Sequence, residues 1–213
     1  MADPRRWSVV VPVKRTEVAK TRLGGALAPH RRDLALAFAA DTVASALGCR
    51  SVAGVLVVTD DPAAAGRLRG MGAVVVGDQP DAGLNPALRH GAAQARSRWA
   101  GSGVALLSAD LPALRADELA DALGVAEGAN GAFVCDARGI GTTLVTAAPG
   151  SEVVVAFGRR SRARHRLAGL VEVTGVDIPS VRRDVDTEVD LADAVRLGVG
   201  PATGAVLARM AGP

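Results

Sequence analysis

The chain contains 25 Lys and Arg residues, but only two are lysines, Lys14 and Lys20. Both lie in VPVKRTEVAKTRL, residues 11–23, directly after an apolar run and beside Arg15 and Arg22. The excess of Ala, Arg, Gly and Val, with only two Asn, reads as a bias that replaces Lys by Arg wherever positive charge alone suffices. Two lysines surviving in one loop then mark a need for a compact ammonium, which the planar guanidinium fork cannot imitate. The loop is either a solvated basic turn or a cradle in which Lys14, Arg15, Lys20 and Arg22 meet the phosphates of a triphosphate whose pyrophosphate leaves. It is not a Walker A loop: Lys14 and Ala19 stand where the two glycines before Lys20-Thr21 would have to be.

Carboxylates supply the complementary chemistry. SADLP places Asp110 just after an apolar run, and DVDTEVDL places Asp184 and Asp186 two residues apart ahead of Thr187 and Asp190, which are spaced as a capping box. Singly, Asp110 or Asp186 reads as a turn or helix-capping aspartate. Together, at two loop tips that also face lysines, they fit a Mg2+ site, because Mg2+ takes one or two carboxylates and completes its shell with phosphate oxygens and water.

Two further loops carry polar groups. GDQPDAGLNPALRHG, residues 77–91, runs into a helix with Asn85 as its expected cap and Pro86 at its first position; it is also where a nucleobase could meet backbone amides. FGRRSRARHR, residues 157–166, holds five arginines around Gly158, Ser161 and His165. Such a run is either a solvated helix face or, through Gly158 and Ser161, a helix start that holds phosphate or carboxylate. GIGTTL, from Gly139, lacks the third glycine of a dinucleotide fingerprint.

The elements that must position these groups follow from hydrophobic periodicity. Strand-length apolar runs span Ser8–Val13, Val55–Thr59, Ala73–Val76, Gly103–Ser108, Ala132–Cys135 and Thr143–Thr146, without polar alternation, as strands covered on both faces require. Helical patterns lie between them, at about residues 30–48, 61–70, 86–99, 115–124 and 187–196. This alternation predicts an α/β fold over residues 1–213 in a single domain: a mostly parallel Rossmann-like sheet flanked by helices, with a small antiparallel insertion where two strands nearly abut between Gly131 and Thr146. Ligands of such sheets bind beyond the carboxyl ends of the strands, where Lys14 and Asp110 fall.

Composition narrows the function classes. No apolar run approaches the ~20 residues of a membrane helix, and Trp7 to Val13 is too short for a signal peptide core, so a cytoplasmic protein without membrane partners is expected. The net charge of +3 comes with no Tyr and 2% aromatic residues, which argues against nucleic acid and for a small anionic substrate. Cys49 and Cys135 form no CxxC or Cys/His cluster and are expected as buried free thiols.

VPVK, AKTRL, GLNPALRHG, ADLP, GTTL, FGRRS and DVDTEVDL, in this order over nearly the whole chain, resemble the 2-phospholactate/phosphoenolpyruvate guanylyltransferases of coenzyme F420 biosynthesis. The wider nucleotidyltransferase superfamily shares only DLP and VDT-x-x-DL and opens with a glycine-rich loop that this chain lacks. The resemblance implies a nucleotidyltransferase sheet, GTP as donor with Pro12, Val13, Gly83 and Asn85 at the nucleotide, and Lys14, Lys20 and Arg22 at its phosphates. It implies metal at Asp110 and Asp186, and a small phosphorylated three-carbon acid at Thr143, Gly158 and Ser161. The Arg- and Ala-rich composition resembles actinobacterial proteins, for which phosphoenolpyruvate is the expected acceptor and 2-phospholactate the alternative. Hand-over of the product to the next pathway enzyme is compatible with this; no oligomeric state follows. A non-catalytic nucleotide-binding protein on the same fold is the competing class. A glycosyltransferase would need Asp184-Val185-Asp186 as its DxD, too near the carboxyl terminus.

Overall fold

The first apolar run forms an interior strand of a seven-stranded sheet. The computed structural model describes residues 7–14 and 23–212. In chain order the strands are β1 (Trp7–Pro12), β2 (Val52–Val58), β3 (Val74–Val76), β4 (Gly103–Leu107), β5 (Gly131–Cys135), β6 (Thr142–Ala147) and β7 (Val171–Glu172), arranged β3-β2-β1-β4-β6-β5-β7. The pairs β1/β2, β2/β3, β1/β4 and β5/β7 are parallel, while β6 runs antiparallel to both β4 and β5. The predicted mostly parallel sheet with an antiparallel hairpin is therefore observed.

The helices are α1 (Arg31–Gly48), α2 (Pro62–Gly70), α3 (Leu84–Arg98), α4 (Ala116–Ala126), α5 (Ser161–Leu167), α6 (Pro179–Arg182), α7 (Glu188–Leu197) and α8 (Pro201–Ala211), with a 3-10 turn at Gly25–His30. Burial on both faces explains the unbroken apolar strands. Val9, Val11, Ala105 and Leu107 pack in a core with α1, α2 and α4, whereas Val10, Val104 and Leu106 pack in a second core with α3. β1 and β4 thus divide their side chains between two cores by the two-residue repeat.

The sequence reading found six strands and five helices within a few residues of their ends, read the arginine run that forms α5 as a helix face or helix start, and missed β7, α6 and α8. It also misplaced the start of α3: the N-cap is Gly83, at φ 101°, and Asn85 lies inside the helix. The anticipated capping box at α7 is present, with Thr187 and Asp190 bonding each other's backbone.

Long-range bonds fix α8 and the loop after β4. Asp41 of α1, buried, accepts from the Ala202 and Thr203 amides at 2.9 and 2.8 Å, supplying α8 with a cap from the opposite end of the chain. Thr42, next to it, accepts from the Leu111 amide at 3.1 Å and thereby anchors the loop that carries Asp110.

Candidate active site

Three neighbouring strands bring their functional ends to one edge of the sheet. β1 and β4 are adjacent and parallel, so Pro12–Lys14 and Ser108–Asp110 emerge side by side. β6 runs the other way, so its beginning lies against the end of β4: Leu107 pairs with Leu144, and the Ser108 amide donates to the Thr143 carbonyl at 2.8 Å. The chain returns to this edge before α7, where the Val185 amide donates to the Asp110 carbonyl at 3.0 Å. That backbone bond places Asp186 beside Asp110.

A cavity of about 360 Å³ opens here, lined by polar Lys14, Ser108, Asp110 and Asp186 and by apolar residues that include Pro12, Val13, Leu84 and Phe157. Of the predicted residues, Pro12, Val13, Lys14, Asp110 and Asp186 therefore meet at one cavity. Lys20 and Arg22, like Arg15, lie outside the described residues. Gly83 and Asn85 precede and follow Leu84, which does line the cavity.

Asn85 has a different task from the cap expected of it. Its amide nitrogen donates to the Phe157 carbonyl at 3.2 Å, and its amide oxygen accepts from the Phe157 N–H at 3.0 Å. A primary amide paired with both polar groups of one residue holds that backbone in a fixed orientation. Asn85 thus fastens the segment leading to Gly158 onto the start of α3.

Asp186 is oriented from behind by Asp190. The Asp190 carboxylate, 4% exposed, accepts from the Asp186 and Thr187 amides, from the Thr187 hydroxyl at 2.7 Å and from Arg138 at 2.8 Å. Burial alone would push its pKa up, but these bonds hold it below the ordinary carboxylate range. Arg138 comes from the β5–β6 hairpin, so the antiparallel insertion also braces the loop that carries Asp186.

At the start of β6 the sheet buries a polar atom with no partner among the described residues. The register of β5 and β6 shifts so that Cys135 faces Thr142 and not Thr143. Thr143 is fully buried and its hydroxyl has no hydrogen-bond partner among the described residues. Buried hydroxyls are ordinarily satisfied, which sets this one apart; Thr143, Gly158 and Ser161 are not among the residues that line the cavity. Gly158, at φ 111°, adopts a conformation that favours glycine, and its carbonyl accepts from the Ser161 amide at 3.1 Å to start α5. Arg160 between them takes the left-handed conformation, at φ 54°.

The arginine run is not a uniformly solvated face. Within α5 only Ser161 and His165, one turn apart, are buried. His165 Nδ1 lies 3.0 Å from the Thr142 hydroxyl, and Nε2 accepts from the Ala156 amide at 3.2 Å. Since Nε2 must be bare to accept, a neutral ring carries its proton on Nδ1. Burial, aided by the neighbouring Arg164 charge, lowers the His165 pKa to about 4 from 6.5. The sequence marked this histidine only as part of a charge run, because its burial depends on strands far away in the chain.

That depressed pKa makes stability pH-dependent. Between about pH 6.5 and 4 the unfolded chain takes up a proton on this ring and the native protein does not, so native stability is lost as pH falls through this window. The expected loss is about 3 kcal/mol. Urea denaturation of the wild type and of His165→Gln between pH 7 and 4.5 checks it: the variant should lack this share of the acid slope, and identical slopes would remove His165 as its source.

With the geometry in view, relatives can be compared. The family described as guanylyl transferase CofC-like matches residues 7–209. The chain belongs to this family. It is 55% identical to the phosphoenolpyruvate guanylyltransferase of Thermomonospora curvata over 204 residues, covering 96% of this chain and 90% of that one. It is likewise 55% identical to the Streptomyces coelicolor enzyme of the same name over 206 residues, covering 96% and 97%. Solved structures share the fold at lower identity. A nucleotidyl transferase from Methanothermobacter superposes with a TM-score of 0.58 at 18% identity, over 90% of this chain and 97% of that one. A 4-diphosphocytidyl-2C-methyl-D-erythritol synthase superposes with 0.61 at 14%, over 91% and 99%. The resemblance carried by the seven motifs and the family match agree. Among the described residues no helix is long and apolar enough to cross a membrane, and Cys49 and Cys135 are free and buried.

Proposed function

We propose that this guanylyl transferase moves GMP from GTP to phosphoenolpyruvate, giving enolpyruvyl-diphospho-guanosine and pyrophosphate. The observation that carries it is the meeting of Lys14, Asp110 and Asp186 at one cavity in a chain 55% identical, over nearly its full length, to enzymes named for this reaction. A phosphate oxygen of the acceptor attacks the α-phosphorus of GTP. The bond from that phosphorus to the bridging oxygen of the β-phosphate breaks, and its electron pair leaves with pyrophosphate. No general base is needed, because a phosphate monoester with a second pKa near 6 is largely dianionic at pH 7.

The chain's contribution is alignment and charge. Lys14 at the tip of β1, with Lys20 and Arg22, neutralises the departing pyrophosphate. Thr143, Gly158 and Ser161 hold the acceptor, and Pro12, Val13, Gly83 and Asn85 flank the nucleotide. Asp110 and Asp186 put two carboxylates at one cavity, which fits a divalent ion that completes its shell with substrate oxygens and water. Asp110 and Asp186 would hold Mg2+, which would supply charge neutralisation at the phosphates.

Incubation with each nucleoside triphosphate and each phospho-acid, followed by mass detection, tests the assignment. GTP with phosphoenolpyruvate should give the coupled mass and pyrophosphate; preference for 2-phospholactate would transfer the assignment to that acid, and no coupling in any pair would leave a non-catalytic nucleotide binder.

Thr143→Val provides a second check, with opposite signs on two readouts. Valine keeps the shape and removes a buried unpartnered hydroxyl, so thermal stability should be unchanged or higher. The acceptor KM should nonetheless rise by about 10- to 150-fold, the equivalent of ~1.5–3 kcal/mol for a hydrogen bond to a charged group, with the KM for GTP nearly constant. A loss of stability with unchanged acceptor KM would take Thr143 out of the acceptor site.

A further inference from the structure

Thr143, Gly158 and Ser161 belong to three different pieces of chain: the start of β6, the segment before α5, and α5 itself. Gly158 and Ser161 are tied locally by the 3.1 Å bond from the Ser161 amide to the Gly158 carbonyl, but nothing local ties Thr143 to them. One buried side chain touches all three pieces. His165 sits one turn after Ser161 on the inner face of α5 and is 0% exposed. Its Nδ1 reaches the hydroxyl of Thr142, the residue before Thr143, at 3.0 Å. Its Nε2 accepts at 3.2 Å from the amide of Ala156, two residues before Gly158. The ring also packs against Phe133 of β5, with centroids 5.7 Å apart, and edge-on against Phe157 at 5.4 Å. Phe157 is the residue whose backbone Asn85 grips and which is among those lining the cavity.

We propose that His165 is the positioning residue of the acceptor side: neutral and protonated on Nδ1, it donates to Thr142, accepts from Ala156 and so fixes Thr143, Gly158 and Ser161 relative to one another. This rests on the assignment of those three residues to the acceptor. Histidine suits the position because two ring nitrogens point in different directions, one a donor and the other an acceptor, within a rigid plane that also fills the space between two phenylalanines. Leucine would fill much of that space with neither bond. Glutamine can place its amide oxygen near the position of Nε2 and accept from Ala156. Asparagine, shorter by one carbon, can place an amide near Thr142.

The role of His165 is in geometry, so its loss should act on one substrate. In His165→Leu the KM for the phospho-acid should rise about tenfold or more while that for GTP stays within about twofold, and His165→Gln or His165→Asn should recover part of the loss. Hydrogen exchange of the same variant, without substrates, should accelerate over residues 155–161 and be unchanged in β1, β2 and β4. Equal rises in both KM values, unchanged kinetics, or exchange that accelerates throughout the sheet would overturn the proposal.

Two measurements separate its failure from failure of the function itself. Wild-type turnover with GTP and each acid tests the function, and the substrate-free exchange pattern tests the positioning even if neither acid is used. Should His165→Leu not fold, nitrogen-15 spectra of the wild-type imidazoles at pH 7 decide. A bare Nε2 and a protonated Nδ1 on the buried ring support the arrangement; the opposite tautomer or a charged ring overturns it.

Discussion

Asp110→Asn and Asp186→Asn are each expected to lower kcat on the order of 10³-fold while leaving the fold in place. Each substitution is nearly isosteric and removes one negative charge from the pair proposed to hold the cation on the substrate phosphates. A loss of this size corresponds to about 4 kcal/mol of transition-state stabilisation, the upper range for deleting one preorganised electrostatic group. The fold should survive because the loops are held by backbone atoms that the substitutions keep. The Asp110 carbonyl accepts from Val185, Leu111 donates to Thr42, and the Asp186 amide donates to Asp190. The check is single-turnover kinetics across a Mg2+ titration, with a thermal melt of each variant. Near wild-type rates at limiting Mg2+ would show that the carboxylates do not hold the ion. Weakened activity that raised Mg2+ restores would place them at the ion but short of indispensable.

Asp190 is a useful contrast. It does not itself line the cavity, yet it holds the amides of Asp186, which does, and of Thr187, and pairs with Arg138. Its loss would misplace Asp186 without removing either of the carboxylates proposed to hold the ion, as expected of a group behind such a site.

What could be read from the sequence depended on how local its cause was. Unbroken apolar runs such as Trp7–Pro12 and Gly103–Leu107 announce strands covered on both faces, and these two set the cavity. Asp110 was legible because it follows such a run directly. Asp186 was legible because the Thr187/Asp190 box after it has a local spacing rule. The missing elements have distant causes. α8 starts where Asp41, in α1, caps it. Strand β7 is two residues long and exists through its pairing with β5. Asn85 followed the local rule for a cap, but its amide is taken by Phe157, 72 residues on. His165 looked like one more polar residue in a run of arginines, and only the fold buries it against Phe133.

Lys14→Arg and Lys20→Arg are expected to lower kcat and kcat/KM together by about 10²-fold although both keep the positive charge. The expectation comes from a composition that otherwise uses Arg for every cation, and from the position of Lys14 at the tip of β1 on the cavity that Asp110 and Asp186 share. An ammonium is a compact point charge with three rotatable donors. A guanidinium is wider, binds oxygens as a planar fork and needs room in its own plane. Charge that builds on the leaving pyrophosphate is met in the transition state, so a misfitted cation should depress both constants and not KM alone. The factor corresponds to about 2.7 kcal/mol. Arg22→Lys serves as the control, since a residue that only adds positive field should tolerate the exchange with a much smaller change. The measurement is product formation under saturating Mg2+ for all three variants. If both Lys→Arg enzymes work within about twofold of wild type, the two lysines are an accident of composition and the leaving-group cradle must be sought elsewhere on this edge. If Lys14→Arg is impaired and Lys20→Arg is not, the cradle narrows to the strand tip, where the backbone is already fixed by the bond from the Val13 amide to the Val58 carbonyl at 2.9 Å.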